Sequence, residues 1–305
     1  MKITRRDFLK FCGATAAALG LSATDLGRLK EVLAAPDGPP VIWLQGSACT
    51  GCSISFLNLI STTAPATAAE VLTNSINLIY HPNLMALAGD PAVAEIEKAY
   101  HAGGYLLAIE GGVPTKFKGK ACLAWSYDDE EVTFQEAVID LSSRAAGILC
   151  VGTCASFGGI ASAPPNPTGV KGVNAVTGKT TINLAGCPTH PNWIAWTVVQ
   201  LLLGNSIALD SLGRPKDLFT GYTVHDLCDR QGTAKADSFG LDYRCLQDLG
   251  CRGPETIANC PISRWNGGTN WCVDANAPCL GCTNANFPGP SPFYRSLITS
   301  QRHDD

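Results

Sequence analysis

Residues 41–53 read VIWLQGSACTGCS, an apolar run followed closely by a C-x-x-C pair. The run Val41–Leu44 ends in turn residues and has the length of a buried strand. Cys49 and Cys52 therefore come just after the end of the first predicted strand. In open α/β sheets the carboxyl ends of the strands form the ligand crevice. This stretch predicts a parallel sheet that carries soft metal ligands at its carboxyl edge.

Four more short apolar runs and four helical segments alternate after it. The further predicted strands are Ile76–Tyr80, Tyr105–Ile109, Gly147–Val151 and Thr181–Leu184. The predicted helices are Ser53–Ile60, Pro91–Ala102, Phe134–Ala145 and Pro191–Leu203. Such alternation indicates an α/β fold with a parallel sheet covered on both faces. A flavodoxin-like domain is predicted for residues 35–204, holding a metal cluster rather than a flavin.

Eleven of the fourteen cysteines, with one histidine, fall into three groups of four. In chain order the groups are Cys49, Cys52, Cys154 and Cys187; His225, Cys228, Cys245 and Cys251; and Cys260, Cys272, Cys279 and Cys282. Cys154 and Cys187 follow the fourth and fifth predicted strands, so the first group gathers at one sheet edge. A 4Fe–4S cluster takes four such ligands. The sequence predicts three 4Fe–4S clusters.

Disulfides and zinc are the alternatives for these cysteines. Disulfide-dense domains are usually small, and residues 35–305 hold an odd thirteen cysteines. Zinc explains one C-x-x-C facing another but leaves seven cysteines without a role. Cys122 and Cys150 lie outside the groups and are interpreted as ordinary buried thiols. Glu110 is interpreted either as an acceptor for backbone N–H groups, near the first group or at an interface with a partner, or as a plain structural carboxylate.

Residues 205–305 have a different composition. Gly, Pro, Asn and Asp are frequent, strand signals vanish, and seven cysteines fall within 78 residues. An irregular iron–sulfur domain of helices and loops is predicted, with its order dependent on the metal centres. His225 precedes Cys228 by three residues, so both are expected on one turn and in reach of one cluster.

Residues 1–34 are interpreted as a twin-arginine signal peptide. Arg5-Arg6 precede a short apolar stretch, and a small-residue cleavage site ends at Ala34. The alternative is an amphipathic helix with a chance arginine pair. The segment predicts export of the folded chain to the periplasm, with membrane association only through a partner.

The charge of the chain excludes one class of partner. Residues 1–34 hold six of the 22 Lys and Arg and three of the 26 Asp and Glu, which leaves 16 basic and 23 acidic side chains, a net charge of −7. Nucleic-acid binding requires a basic surface, so it is not expected. No apolar run after the signal reaches about 18 residues, so no transmembrane anchor is predicted.

Several motifs together resemble the small subunit of periplasmic nickel–iron hydrogenases. They include Cys49-Thr-Gly-Cys52, Glu110-Gly-Gly-Val-Pro114, Gly152-Thr-Cys154, Pro165-Asn-Pro-Thr-Gly169 and Gly186-Cys187-Pro188. The resemblance extends through the C-terminal cysteines. It implies a heterodimer with a large subunit that carries the nickel–iron centre and catalyses reversible H2 oxidation. This chain then supplies no catalytic residue and relays electrons to a redox protein such as a c-type cytochrome.

The resemblance also orders the clusters. It implies that the first group holds the proximal cluster, the third group the medial cluster and the second group the distal cluster. Cys272 stands where many relatives have proline, and Ala48 stands where many have glutamate. These two departures, with Ser53-Ile-Ser-Phe-Leu-Asn58, resemble the nickel–iron–selenium branch and imply a medial 4Fe–4S rather than 3Fe–4S cluster.

Three other functions remain to be distinguished. One is a ferredoxin without a catalytic partner, and another is a hydrogen sensor. The third is the small subunit of a different oxidoreductase, such as respiratory complex I, which would lack His225-x-x-Cys228 and the cysteines after it.

Overall fold

The computed structural model describes residues 38–59, 67–68, 72, 76–219, 221–240 and 243–289. The predicted signal peptide lies outside the described residues. The regular elements occupy two unequal parts of the chain. We call residues 38–204 the sheet region and residues 205–289 the cysteine-rich region.

The sheet region alternates strands and helices as the apolar runs predict. The strands are β1 Pro40–Gln45, β2 Asn77–Tyr80, β3 Leu106–Glu110, β4 Val113–Pro114, β5 Leu123–Tyr127, β6 Glu130–Thr133, β7 Gly147–Val151, β8 Val170–Lys171 and β9 Ile182–Leu184. The helices are α1 Gly51–Leu57, α2 Asp90–Ala102, α3 Phe134–Arg144, α4 Thr153–Phe157, α5 Val173–Thr177 and α6 Pro191–Leu202. All five predicted strands and all four predicted helices form, with ends shifted by a few residues; Ile60, the predicted end of α1, lies outside the described residues.

Five strands form one parallel sheet in the order β2-β1-β3-β7-β9. Counting only these five, the order is 2-1-3-4-5, the flavodoxin-like arrangement. The register aligns Gln45 with Glu110 and Glu110 with Val151 at the carboxyl edge. The loops after β1, β3, β7 and β9 therefore open on the same side of the sheet.

Alternate residues of the central strands enter two separate cores. Trp43, Ala108 and Leu149 pack on one face, together with α6 and the cysteine-rich region. Ile109 and Cys150 pack on the other face with α2 and α3. Because side chains of a strand point alternately to opposite faces, this confirms a sheet covered on both sides.

The antiparallel hairpin β5–β6 was not predicted. Its two-residue turn is Asp128-Asp129, and both residues have positive φ, 50° and 64°. A hairpin turn with positive φ at both positions usually carries Asn-Gly or Asp-Gly. The Asp-Asp pair hides this turn, and the strand after it, β6, is mostly polar.

The cysteine-rich region contains little regular structure. Its described residues hold two 3₁₀ turns, Gln247–Leu249 and Gly253–Glu255, and one four-residue helix, α7 Cys260–Ser263. Only isolated β-bridges occur there, such as that between Thr223 and Ile257. The loss of strand signals after residue 204 is confirmed, and turns outnumber helices.

Candidate iron–sulfur sites

The first group gathers at the carboxyl edge of the sheet. Cys49 and Cys52 lie on the loop and first turn after β1, Cys154 begins α4 after β7, and Cys187 follows β9. Burial and, to a smaller extent, the Cys154 and Cys49 thiols raise the pKa of the Cys187 thiol to about 11. Burial, the Glu110 carboxylate, Cys154 and Cys187 likewise raise the pKa of Cys52. All four side chains are therefore within electrostatic range of one another.

Two glycines leave room for the sulfur atoms of this group. A Cβ on Gly152 would lie 2.5 Å from the Cys52 Sγ, and one on Gly159 would lie 2.7 Å from the Cys154 Sγ. Both glycines have positive φ, 92° and 55°. Any side chain at either position would therefore be strained and would push a sulfur atom away.

Glu110, at the end of β3, anchors the C-x-x-C loop. Its Oε1 accepts hydrogen bonds from the backbone N–H of Cys52 at 3.0 Å and of Ser53 at 3.3 Å. Its Oε2 accepts from the Trp43 Nε1 and Gln45 Nε2 groups and from the Ser53 hydroxyl. The interpretation of Glu110 as an acceptor for backbone N–H groups near the first group is confirmed.

His81 extends this buried network. Its Nδ1 accepts from the backbone N–H of Asn83 at 3.2 Å, so its Nε2 donates to the Ser53 Oγ at 3.1 Å. Burial lowers the pKa of His81 to about 4, which keeps the ring neutral. Sequence reasoning missed His81, because its partners are distant along the chain.

The third group lies in the cysteine-rich region, where burial and the Cys282, Cys279 and Cys272 thiols raise the pKa of Cys260. All four residues of the group are thus close together. Cys260 and Cys279 are buried, while Cys272 is exposed on the surface of this chain.

The second group lines one pocket. His225, Cys228, Cys245 and Cys251 all face it. The Cys228 backbone N–H donates to the His225 carbonyl at 3.1 Å, so the two residues share one turn, as the spacing predicts. Burial raises the pKa of the Cys228 thiol, and the nearby Cys251 and Cys245 thiols also raise it. We call this cavity the second-group pocket.

Hydrogen bonds join the three groups in a row. The Thr153 hydroxyl, next to Cys154 of the first group, donates to the Cys282 carbonyl, which links the first group to the third. The Cys279 backbone N–H donates to the Cys251 Sγ at 3.3 Å, which links the third group to the second. The third group thus touches both of the others.

The twelve residues suit iron–sulfur clusters in their chemistry. None of the thirteen cysteines in the described residues forms a disulfide. In that part of the chain no three His, Cys, Asp or Glu side chains converge as they would around one metal ion. In a 4Fe–4S cluster each side chain binds a different iron, so the four sulfurs need not meet at one point.

Cys122 and Cys150 lie apart from the groups. Cys150 is buried in the core on the opposite face of the sheet, and Cys122 packs against that core. Burial raises the pKa of Cys150 to about 12. Both positions agree with ordinary buried thiols.

Two family models match the two regions in turn. Residues 49–201 match the model described as NADH ubiquinone oxidoreductase, 20 Kd subunit, and residues 220–294 match the model of the C-terminal part of the NiFe/NiFeSe hydrogenase small subunit. The periplasmic [NiFe] hydrogenase small subunit of Solidesulfovibrio fructosivorans is 39% identical over 96% of this chain and 93% of its own length. The chain belongs to the NiFe/NiFeSe hydrogenase small-subunit family. The predicted resemblance is confirmed.

Other members of the family share both sequence and fold. The periplasmic [NiFeSe] hydrogenase small subunit of Desulfomicrobium baculatum is 37% identical over 96% of this chain and 99% of its own length. The [NiFeSe] hydrogenase structure from Desulfovibrio vulgaris Hildenborough aligns with a TM-score of 0.78 at 37% identity, covering 86% of this chain and 99% of that one. The match at residues 220–294 includes all of the second and third groups, which argues against a complex I small subunit.

The family is that of an oxidoreductase acting on H2, with the catalytic site on the large subunit. This chain is its electron-transfer subunit. Among the described residues, no helix is long and apolar enough to cross a membrane.

Proposed function

We propose that this small subunit holds three 4Fe–4S clusters and connects a nickel–iron large subunit to an outside redox protein. The observation that carries the proposal is the row of three four-residue groups joined by hydrogen bonds, in the order first, third and second. Bound in these groups, the clusters would supply one-electron carriers. Cys49, Cys52, Cys154 and Cys187 would hold the proximal cluster; Cys260, Cys272, Cys279 and Cys282 the medial; His225, Cys228, Cys245 and Cys251 the distal.

The protein chain prepares each group for iron. Burial raises the pKa of thiols such as Cys52 and Cys260, and each must lose a proton when iron binds. Glu110 holds the C-x-x-C loop through two backbone N–H groups, and the glycines beside Cys52 and Cys154 leave the sulfurs unobstructed. These features favour a preformed site at the proximal position.

A c-type cytochrome is the proposed electron acceptor. The support is the acidic character of the surface near the second group, which would attract a basic partner. That character is modest, because Asp248 pairs with Lys235 at 3.4 Å and Asp229 pairs with Arg264 at 3.5 Å.

The nickel–iron–selenium branch is the proposed subfamily. Cys272 gives the third group a fourth thiol, and Ala48 replaces the glutamate of many relatives. Members from both branches match this chain at nearly equal identity, 39% and 37%. Selenium in the co-purified large subunit, measured by elemental analysis, tests this assignment.

The location is proposed to be the periplasm, reached by twin-arginine export. The support is Arg5-Arg6 together with the periplasmic relatives. Changing Arg5-Arg6 to Lys-Lys should leave folded precursor in the cytoplasm, as measured by cell fractionation. Normal export of this variant would contradict the assignment.

The function is tested by purifying the native protein through a tag on this chain. We expect a large partner with one nickel, and about twelve irons on this chain, since three clusters hold four irons each. Iron without nickel or a partner would leave a ferredoxin-like electron carrier and would overturn the hydrogenase assignment.

A further inference from the structure

Two buried nitrogen donors beside the second-group pocket have no partner. The Nε of Arg230 and the Nε1 of Trp271 are both inaccessible to solvent and form no hydrogen bond. Both side chains line the pocket that His225 and the three cysteines of the second group share. Arg230 is 5% exposed and Trp271 is 4% exposed. Leaving a buried donor without an acceptor is destabilising, so two such donors at one pocket indicate an acceptor that binds there.

Arg230 is held in place by neutral groups. Its Nη2 donates to the Val273 carbonyl at 2.7 Å and its Nη1 to the Arg244 carbonyl at 3.1 Å. Its guanidinium also lies over the Tyr243 ring, 4.9 Å from the centroid. No carboxylate pairs with it in the described part of the chain. Since a buried arginine stays charged, it needs an anion, and the second-group thiolates are the candidates within the pocket.

The surrounding backbone supports this view of the pocket. The Arg230 N–H donates to the Cys228 Sγ at 3.4 Å, so the residue already contacts one sulfur of the group. Trp271 directly precedes Cys272 of the third group while its indole lines the second-group pocket.

We propose that Arg230 and Trp271 are positioning residues that donate hydrogen bonds to sulfur atoms of the distal cluster and raise its reduction potential. The inference rests on the proposed function, because it requires a cluster in the second group. A reduced cluster carries one more negative charge than the oxidised one. Positive charge and N–H donors stabilise the reduced form more, so they raise the potential.

The test is an EPR-monitored redox titration of the holoenzyme. The distal signal is recognised by its coupling to a histidine nitrogen, since the other two groups contain only cysteine. Trp271→Phe removes the N–H and keeps a ring, while Arg230→Met removes the charge and Arg230→Lys keeps it. We expect the distal potential to fall in Trp271→Phe and Arg230→Met, and to fall less in Arg230→Lys.

A second measurement reads the hydrogen bond itself. Labelling tryptophan with ¹⁵N in the indole should replace an indole ¹⁴N coupling of the distal signal by a ¹⁵N coupling, and Trp271→Phe should remove it. Trp265→Phe is the matched control, because Trp265 also has a buried indole N–H without a partner but does not line the pocket. It should leave both the potential and the coupling unchanged.

The outcomes separate the two proposals. A distal signal with histidine coupling, whose potential is the same in all three variants, would overturn the roles of Arg230 and Trp271 and leave the proposed function intact. Absence of any histidine-coupled cluster in the unmodified enzyme would instead overturn the assignment of the second group as cluster ligands, on which this inference rests. If Trp271→Phe loses the cluster, the Arg230→Met and Arg230→Lys pair still decides the question.

Discussion

The sheet region and the cysteine-rich region are built on different principles. The sheet region has five hydrogen-bonded parallel strands and a core on each face. In its described residues the cysteine-rich region has isolated bridges, two 3₁₀ turns and one four-residue helix. Regular hydrogen bonding thus holds the first region, whereas the second depends on turns and on contacts that converge on sulfur.

The two regions are nevertheless packed together. Trp193 of α6 contacts the Phe219 ring at 5.0 Å between centroids, and its Nε1 donates to the Asn259 side chain at 3.2 Å. The hydrophobic cluster on this face runs through both regions. The difference teaches that strand ends of the sheet position the first group, whereas we expect the order of the cysteine-rich region to depend on metal bound to the other two groups.

Iron removal should have the largest effect on this difference. Chelation of iron from the purified complex should expose backbone amides of residues 221–240 and 243–289 to hydrogen exchange, because little regular structure protects them. Amides of β1, β3 and β7 should stay protected, which serves as the internal control. Hydrogen-exchange mass spectrometry measures both. Equal protection of the two regions after iron loss would contradict the comparison.

Glu110→Ala should destabilise the sheet region even with iron bound. The substitution leaves the buried donors of Cys52, Ser53, Trp43 and Gln45 without their acceptor, at a cost of more than about 3 kcal/mol. Glu110→Gln should cost less, because one amide oxygen still accepts. Thermal unfolding of the complex measures the change. A small loss of thermal stability in both variants would show that the bound cluster alone holds the C-x-x-C loop in place.

Cys272→Pro should change only the third group. With three thiolates left, the medial cluster should lose one iron and become 3Fe–4S, visible in the oxidised protein by EPR and Mössbauer spectroscopy. The matched control is Cys122→Ser, since Cys122 packs against the core on the other face of the sheet. An unchanged iron count in Cys272→Pro would remove Cys272 from the proposed ligands.

The two regions also differ in how far sequence patterns predict them. Strands such as Gly147–Val151 are continuous apolar runs because both faces are buried, so their position could be predicted from hydropathy. The β5–β6 hairpin could not, since Asp128-Asp129 is an unusual turn. Grouping of the cysteines was predictable from number and spacing. The contact between Cys279 and Cys251 was not, because it depends on how loops without periodic patterns pack.

Polar partners of the sites were the least predictable part. Glu110 was recognised as notable, but four of the groups that donate to it come from β1 and α1, about 60 residues earlier. His81, Arg230 and Trp271 carry no local motif. Their roles follow only from burial and from the pocket or network that each one faces.

Thr133→Ala should have the smallest effect and should be confined to α3. Thr133 and Glu136 form a capping box, in which the Thr133 Oγ1 accepts from the Glu136 N–H at 3.2 Å and Glu136 Oε2 accepts from the Thr133 N–H at 2.9 Å. Loss of such a cap costs about 1 kcal/mol. Thermal unfolding measures it, and Thr133→Ser, which keeps the hydroxyl, should behave like the unmodified protein.

The pH dependence of this cap gives a second check. Hydrogen bonds from Thr133 lower the pKa of Glu136 below its ordinary value. The stability that the Thr133–Glu136 hydrogen bonds add is therefore complete above the ordinary carboxyl pKa. It is lost as the pH falls through the lowered pKa of Glu136. The stability difference between the unmodified protein and Thr133→Ala should shrink over that range.

The EPR signals of the bound iron should not change at any pH in Thr133→Ala relative to the unmodified protein, because α3 packs on the sheet face opposite to the cysteine-rich region. A change in those signals would show that the two faces are coupled through the sheet.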